Sequence, residues 1–520
     1  MQYSDDEKKV LGYFFTNLDK PVFAAKNFHP EVWALMQARY SRSKEGMRES
    51  LLQLLKEDPE NFNKLLEEID AIRGGIQSQH ATEKAIQFME KWVLGYGHTS
   101  VAEGAVIGLG VEGVSIIATK FIEDNRLSSF IEKSTRYVSF DNSSFYLDEK
   151  IRSSKFYPDV KELLELLLRT YHELHEPVLE YVKKVAPLER GVTEAAWERA
   201  CAARRFDAIR YLLPACIKTS FGWTVNAREL SYAISKMLSS DLKEMNEIGV
   251  MVKEEASKVL PSLLRFADKK EYLLKTQESM TYLTENLDLH DDLTEPVTIV
   301  NNPREADDHI LSAIIYRWKN APYETIKRHV KSLSPKEKEE LFDAYLKNMG
   351  PYDSPMRELE HVQFTFEITM DYGAFRDLQR HRICTQTTQL LTTDLGYEVP
   401  QDVVNAGCEP HYRKAMDKAK FVFDKLRKDC LKESQYIVPL GYRKRYLLTM
   451  NLREVYHFVK LRTIPLAHES YRKVAYQLYE VMREKYPLLT KYIVCNYNKE
   501  ELGRLKTEEM TEKLDKVTPL

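Results

Sequence analysis

Leu448-Thr449-Met450-Asn451-Leu452-Arg453-Glu454 decides the fold, because the chain has already used the same pattern as Trp223-Thr224-Val225-Asn226-Ala227-Arg228-Glu229. Upstream of each lies an apolar-Pro step, Leu213-Pro214 and Val438-Pro439, at the same offset of 225 (451 − 226). A second anchor precedes both. Ala105, Ile107, Leu109 and Val111 alternate as Val362, Phe364, Phe366 and Ile368 do, which is the period of a strand with one buried face. Glu103 stands where Glu360 stands, at an offset of 257 (360 − 103). Two anchors in one order, with a single length change between them, predict tandem copies of one domain.

The expected fold is α+β, with each copy a helix-rich domain around an antiparallel sheet. The copies are expected at residues 1–265 and 305–500. Between them, 266–304 reads as a linker, because Leu287-Asp288-Leu289-His290-Asp291-Asp292-Leu293-Thr294-Glu295-Pro296 and Asn301-Asn302-Pro303 break periodicity. Residues up to about Glu90 read mostly helical, and Gly97-His98-Thr99-Ser100 opens a turn-rich entry to the first strand. After the second anchor Val455, Phe458, Val459 and Arg462 follow helical spacing, as do Val474, Leu478, Val481 and Met482. Residues 501–520 form a charged tail, expected at the surface or frayed.

Composition narrows the function. A chain of 520 residues with 43% hydrophobic and 30% charged residues is an ordinary globular composition, long enough for more than one core. Lys+Arg 76 against Asp+Glu 79 leaves a net charge of −3, so no global field recruits nucleic acid or membrane, and an anion site must be a local cluster. Six scattered cysteines, without CxxC spacing, suggest neither a disulfide framework nor a zinc site. The acidic N-terminus has no apolar signal region and no run is long enough to span a bilayer, so a reduced, cytoplasmic protein is expected.

One cluster stands out: Arg380-His381-Arg382-Ile383-Cys384-Thr385, entered from the second strand. Counting through the strands places this cationic triplet opposite Glu123-Asp124-Asn125 of the first copy. Further on, the first copy carries Glu132-Lys133-Ser134-Thr135-Arg136-Tyr137 where the second has the uncharged Thr388-Gln389-Leu390-Leu391-Thr392-Thr393. Each copy holds a polar cluster that its sister lacks. Arg380 and Arg382 suit bidentate bonds to phosphate or an anionic ring edge, or a salt-bridge cluster with Asp377, Glu360 or Asp371. Ser134 and Arg136, two residues apart, suit a phosphate monoester.

These motifs together resemble the flavin-dependent thymidylate synthase family, whose hallmark is RHRxxS followed by a stretch like ExSxRY. Arg380-His381-Arg382-x-x-Thr385 matches the first part, with Thr at the Ser position, and Glu132-x-Ser134-x-Arg136-Tyr137 matches the second, but in the other copy. The downstream pattern is met by Pro439, Asn451, Arg453, His457, Phe458 and Arg462. Of it the first copy keeps Arg210, Pro214, Asn226 and Arg228, with Tyr232 replacing the histidine.

The resemblance implies an FAD-dependent methyltransferase that converts dUMP to dTMP by reductive methylation, with NADPH and methylenetetrahydrofolate as co-substrates. It implies flavin-binding roles for Arg380, His381, Arg382, Glu360, Asn451, Arg453 and His457. Nucleotide binding would fall to Glu132, Ser134, Arg136, Arg210 and Arg462. Arg462 would also be catalytic, holding the uracil edge and favouring its electron-rich form. His457 as a core histidine and Arg462 as a surface partner of Glu469 are the plainer alternatives. Family sites lie at subunit interfaces of a homotetramer, so a fused chain is expected to form composite sites and a homodimer. Asp377, where the family commonly has Gln, sets a negative charge near the phosphate. Two other readings therefore stand: a same-fold flavoenzyme modifying another pyrimidine nucleotide, and a non-catalytic nucleotide-binding paralogue.

Overall fold

Alternating apolar residues build two sheets in a computed structural model that describes residues 3–40, 46–56, 99–136, 139–140, 145–284, 287, 289 and 295–517. The first sheet has the order β1-β3-β2, with β1 Val106–Ser115, β2 Ser128–Glu132 and β3 Lys218–Asn226. The second has the order β4-β5-β7-β6, with β4 Val297–Asn301, β5 Gln363–Asp371, β6 Thr385–Thr388 and β7 Arg443–Asn451. Phe364, Phe366 and Ile368 of β5 are buried, while Thr365, Glu367 and Thr369 between them are only half-buried. β7 runs antiparallel to β5 with Leu448 opposite Phe366, and it buries Tyr446, Leu448 and Met450. One face of each strand thus feeds the core.

The duplicated anchor is a strand-to-helix junction. Asn226 ends β3 and caps the helix Ala227–Leu238, its side chain accepting from the Glu229 amide at 3.0 Å. Asn451 ends β7 and caps Leu452–Arg462, accepting from the Glu454 amide at 2.8 Å. Each such cap stabilises a helix start by about 1 kcal/mol. A salt bridge recurs as well, Arg228 with Glu103 and Arg453 with Glu360 (2.9 Å).

Register between the copies changes at Gly113, and the expected alignment needs correcting there. β1 is ten residues and β5 nine. Gly113 takes a φ of 68°, and the buried positions of β1 pass from Ile107 and Val111 to Val114. The one-residue bulge makes the N-caps Ser115 and Asp371 equivalent (371 − 115 = 256), each accepting from the amide three residues on. Asp124-Asn125-Arg126, not Glu123-Asp124-Asn125, therefore stands opposite Arg380-His381-Arg382. Ser129 stands opposite Thr385, and they pair with Thr224 and Thr449 respectively. One arginine and one hydroxyl of the RHRxxS pattern survive in the first copy.

The chain forms two compact units that do not follow the repeat boundary. One comprises Met1–Glu112, Leu127–Glu132 and Ser220–Leu287; the other comprises Gly113–Arg126, Lys133–Thr219 and Asp288–Leu520. Within the second unit the two apolar-Pro segments bind each other about a local two-fold. The Ala215 amide donates to the Val438 carbonyl (2.9 Å) and, reciprocally, Leu440 donates to Leu213 (2.9 Å). Cys216 donates to Tyr436 (2.7 Å) as Gly441 does to Tyr211 (2.9 Å). Every bond has its mate at 225 positions' remove, which is the reciprocity of a two-fold interface.

The stretch 266–304 is more than a linker. Glu271–Thr284 is helical, and β4 pairs with β5, burying Val297 and Ile299. The tail is also ordered: Leu505–Val517 is a helix, and Leu502, Arg504 and Glu508 are buried. Asp5–Phe14, Pro30–Tyr40 and Met47–Lys56 are helices, whereas the expectations for 57–90 and for Gly97-His98 lie outside the described residues. No helix among the described residues is long and apolar enough to cross a membrane.

Candidate functional site

Around the two-fold segments, the second unit gathers arginines from both copies. Arg210 opens the one-turn helix Arg210–Leu212 at the end of Glu194–Ile209, directly before the two-fold strand. Ser134 and Arg136 lie in the turn that follows β2. Asp377 lies in the last turn of Tyr372–Leu378, and Arg462 closes Leu452–Arg462.

These groups converge on two carboxylates. Arg136 grips Asp207 with both arms, Nε to Oδ1 at 2.6 Å and Nη2 to Oδ2 at 2.8 Å, while Nη1 donates to the Tyr471 hydroxyl at 3.4 Å. Burial opposes the Arg136 charge, but Asp207, Tyr471 and Asp377 together outweigh it and raise its pKa. Arg462 lies over the same tyrosine, 5.2 Å from the ring centroid. One phenol therefore joins the first copy's arginine to the second's. At Asp377 burial pushes the carboxyl up, yet Arg210, Arg136, Arg462 and Arg380 together hold it below the usual carboxylate range.

Arg210 is only 2% exposed, and its Nε and Nη2 have no hydrogen-bond partner among the described residues. A buried cation with two orphan donors is costly unless an anion completes it. Asp207 and Asp377 offset its charge without accepting from these two donors, which suit a ligand oxyanion.

Arg462 is fixed by a relay. Its Nη2 donates to the Asp377 carbonyl (2.6 Å) and its Nε to His381 Nε2 (2.8 Å), while His381 Nδ1 contacts Glu454 at 2.7 Å. Accepting at Nε2 requires the proton on Nδ1, so His381 donates to Glu454. The imidazole is 5% exposed, and burial, with the Arg462 charge adding to it, pushes its pKa down to about 4 against the pull of Glu454. His381 is neutral at pH 7 and orients Arg462. His381, Glu454 and His457 bring ligand-type atoms within 4.8 Å of one another, but both His381 nitrogens are engaged by this relay.

The other expected residues separate into two groups. Arg380 and His457 are exposed and Arg382 is half-buried, with the His457 ring 5.6 Å from His381. Asn451, Arg453 and Glu360 make the cap and salt bridge that the first copy also makes, so those contacts belong to the fold. Ser134 accepts from the Arg136 amide at 3.1 Å. Glu132 ends β2 in the first unit, opposite Phe221, and Tyr137 lies outside the described residues. Arg462 does not pair with Glu469, which bonds Lys473.

Sequence reasoning missed Asp207, Tyr471, His468 and Arg504. Asp207 lies one helical turn before Arg210, a spacing that offered a signal. His468 caps Glu469–Lys485, with Nδ1 accepting from the Ser470 amide (3.2 Å) and Nε2 facing the Asp207 carbonyl (3.3 Å). Ser470 donates to the buried Asp371, whose carboxyl is pushed up to about 6 by burial.

Comparison with known proteins fits this duplicated architecture. The family described as thymidylate synthase complementing protein matches twice, over residues 31–262 and 298–488. A UPF0159 protein of Chlamydia muridarum is 31% identical over 97% of this chain and 98% of its own length. The flavin-dependent thymidylate synthase of Pyrococcus furiosus is 26% identical over 32% of this chain and 60% of its own. Among solved structures, the flavin-dependent thymidylate synthase of Helicobacter pylori complexed with FAD and dUMP covers 38% of this chain and all of that one, at 18% identity and a TM-score of 0.29.

Proposed function

The chain belongs to the thymidylate synthase complementing protein family, and from that premise we propose that it is an FAD-dependent methyltransferase that reductively methylates dUMP to dTMP. The carrying observation is that Arg136 of one copy and Arg462 of the other meet at Tyr471, beside Asp377, whose charge both stabilise together with Arg210 and Arg380. A single chain thus supplies both halves of the divided motif.

In this reading the nucleotide phosphate meets Arg210, whose two orphan donors fit an oxyanion, with Arg136 and Ser134 beside it. The uracil edge meets Arg462, which the Glu454–His381 relay and the Asp377 carbonyl hold in place. A fixed guanidinium there stabilises negative charge as it develops on the ring, and C5 becomes nucleophilic without an enzyme thiol. Cys384, the cysteine closest in sequence to the triplet, is buried, and burial pushes its thiol up to about 12, away from thiolate chemistry.

Arg380, Arg382 and His457 form a cationic, donor-rich set suited to an anionic coenzyme, and would hold FAD. Bound there, FAD supplies the redox equivalents, drawn from NADPH, that turn a transferred methylenetetrahydrofolate carbon into a methyl group. The assembly proposed is a homodimer of fused copies, and the compartment cytoplasmic. A second reading, a flavoenzyme acting on another pyrimidine nucleotide, rests on Asp377, which stands where the family commonly has Gln.

Purified protein should be yellow, with a flavin spectrum bleached by NADPH, and should release tritium from the uracil C5 of labelled dUMP. Colour and bleaching without tritium release from dUMP would favour the second reading. A colourless protein that binds no flavin would remove both.

A further inference from the structure

The C-terminal segment reaches the candidate site through Asp207. Arg504, 5% exposed, donates through Nη2 to both Asp207 oxygens (3.1 and 2.8 Å), so that Asp207 is held between Arg136 and Arg504. Further links run along the helix Glu194–Ile209. Arg204 donates to the Glu501 carboxylate (2.6 Å) and carbonyl (3.0 Å), and Arg199 donates to the Glu508 carboxylate (3.0 Å) and carbonyl (3.3 Å). Thr193, the N-cap of that helix, donates to Glu512.

On its other side the segment packs against the second copy's arm. A Cβ at Gly503 would lie 2.0 Å from the Pro465 carbonyl oxygen and 2.7 Å from its carbon, so only glycine admits this approach. Pro465 lies in the turn between Arg462 and His468, the turn that leads from the relay to Tyr471. His468, from the same arm, donates to the Asp207 carbonyl at 3.3 Å. Gly503 and Arg504, adjacent in sequence, thus contact the loop behind Arg462 and the carboxylate behind Arg136.

We propose that residues 501–512 are a clasp, with Gly503 and Arg504 as positioning residues that fix the first copy's nucleotide-binding arginine relative to the second copy's activating arginine. This rests on the function proposed above for its meaning, but not for its physical test. The clasp makes the divided motif work as one site: without it, among the described residues, the Arg136–Asp207 pair and the Arg462–Tyr471 arm are hydrogen-bonded directly only through Tyr471 and His468. Arg504 contributes through Asp207, not through substrate.

The test uses the full chain with Arg504→Ala, Arg504→Lys and Gly503→Ala, and Lys513→Ala as the control at an exposed position. In ligand-free protein, amide hydrogen exchange should rise at least tenfold across 134–136 and 463–471 in the Arg504→Ala and Gly503→Ala proteins. Arg504→Lys should recover part of the protection, and Lys513→Ala should match wild type. Faster exchange confined to 501–512 overturns the clasp. Titration with dUMP should show at least a tenfold weaker Kd for Arg504→Ala, with flavin affinity unchanged and partial rescue by Arg504→Lys; equal dUMP affinity also overturns it. Wild-type protein that does not bind dUMP would sink the proposed function, while the exchange result would still decide the clasp. If Gly503→Ala fails to fold, the two Arg504 variants decide it.

Discussion

Arg210 and Gln435 occupy the same place in the two copies, each opening a one-turn helix before a two-fold strand, and their fates differ. The Gln435 amide is closed: it accepts from the Leu391 amide (2.9 Å) and donates to the Lys432 carbonyl (2.9 Å). The Arg210 guanidinium is as deeply buried but keeps two donors unanswered. Neighbouring positions diverge in the same sense. Arg136 corresponds to Thr392, Asp377 to Phe121, Asp207 to Lys432 and Arg462 to Met237. The caps and the Arg–Glu bridge are kept in both copies because the fold needs them twice. The arginines assigned above to the anion are present once. Duplication has kept the caps and the bridge on both sides, and the proposed chemistry on one.

The sharpest way to break this contrast is to make the same change on both sides. Arg136→Ala should cost at least a hundredfold in kcat/KM for dUMP, since a charge-assisted contact is lost and Asp207 loses the arginine that grips both its oxygens. Thr392→Ala should stay within twofold. Importing the sister residue is the next test: Arg210→Gln should weaken dUMP binding some thirtyfold, roughly 2 kcal/mol, in a titration. At the flavin side, Arg382→Ala should lower flavin affinity about tenfold. The equivalent Arg126→Ala should leave flavin bound and cost about 1 kcal/mol in chemical denaturation, because Arg126 donates to the Cys384 carbonyl and the Thr385 hydroxyl.

The last effect is on stability and concerns pH. His381 has its pKa pushed down to about 4, below the ordinary 6.5, so its neutral form belongs to the folded site. Its contribution is complete above pH 6.5 and is lost as pH falls toward 4, roughly 3 kcal/mol at most. Asp371, pushed up to about 6, has the opposite sign: its burial cost is relieved as pH falls through 6. The stability difference between wild type and His381→Gln isolates the histidine, and should shrink steadily from pH 6.5 to 4. A difference independent of pH would mean that His381 is not held neutral.

Much of this was legible in the sequence because repetition is a local signal. The Asn-x-Arg-Glu anchors, the alternation around Phe364 and Phe366, and the complementary loss of motifs could all be read without coordinates. Gly113 could not: one inserted residue flips strand parity only where a φ of 68° makes the bulge, so counting along the sequence sets the triplet one residue off. Asp207 and Tyr471 were missed because their roles come from partners far along the chain, and charge alone did not separate them from solvated neighbours. The burial of the tail is hidden from sequence for a related reason. Its charges suggested solvent, yet Arg504 and Glu508 are buried against partners of opposite charge on one helix.

The central claim, that each chain forms one composite nucleotide site and not two, is tested most directly by calorimetric titration of FAD-loaded protein with dUMP. One dUMP per 520-residue chain, abolished by Arg136→Ala and unaffected by Thr392→Ala, is the result expected. Two equivalent sites per chain, or binding that survives Arg136→Ala, would contradict it.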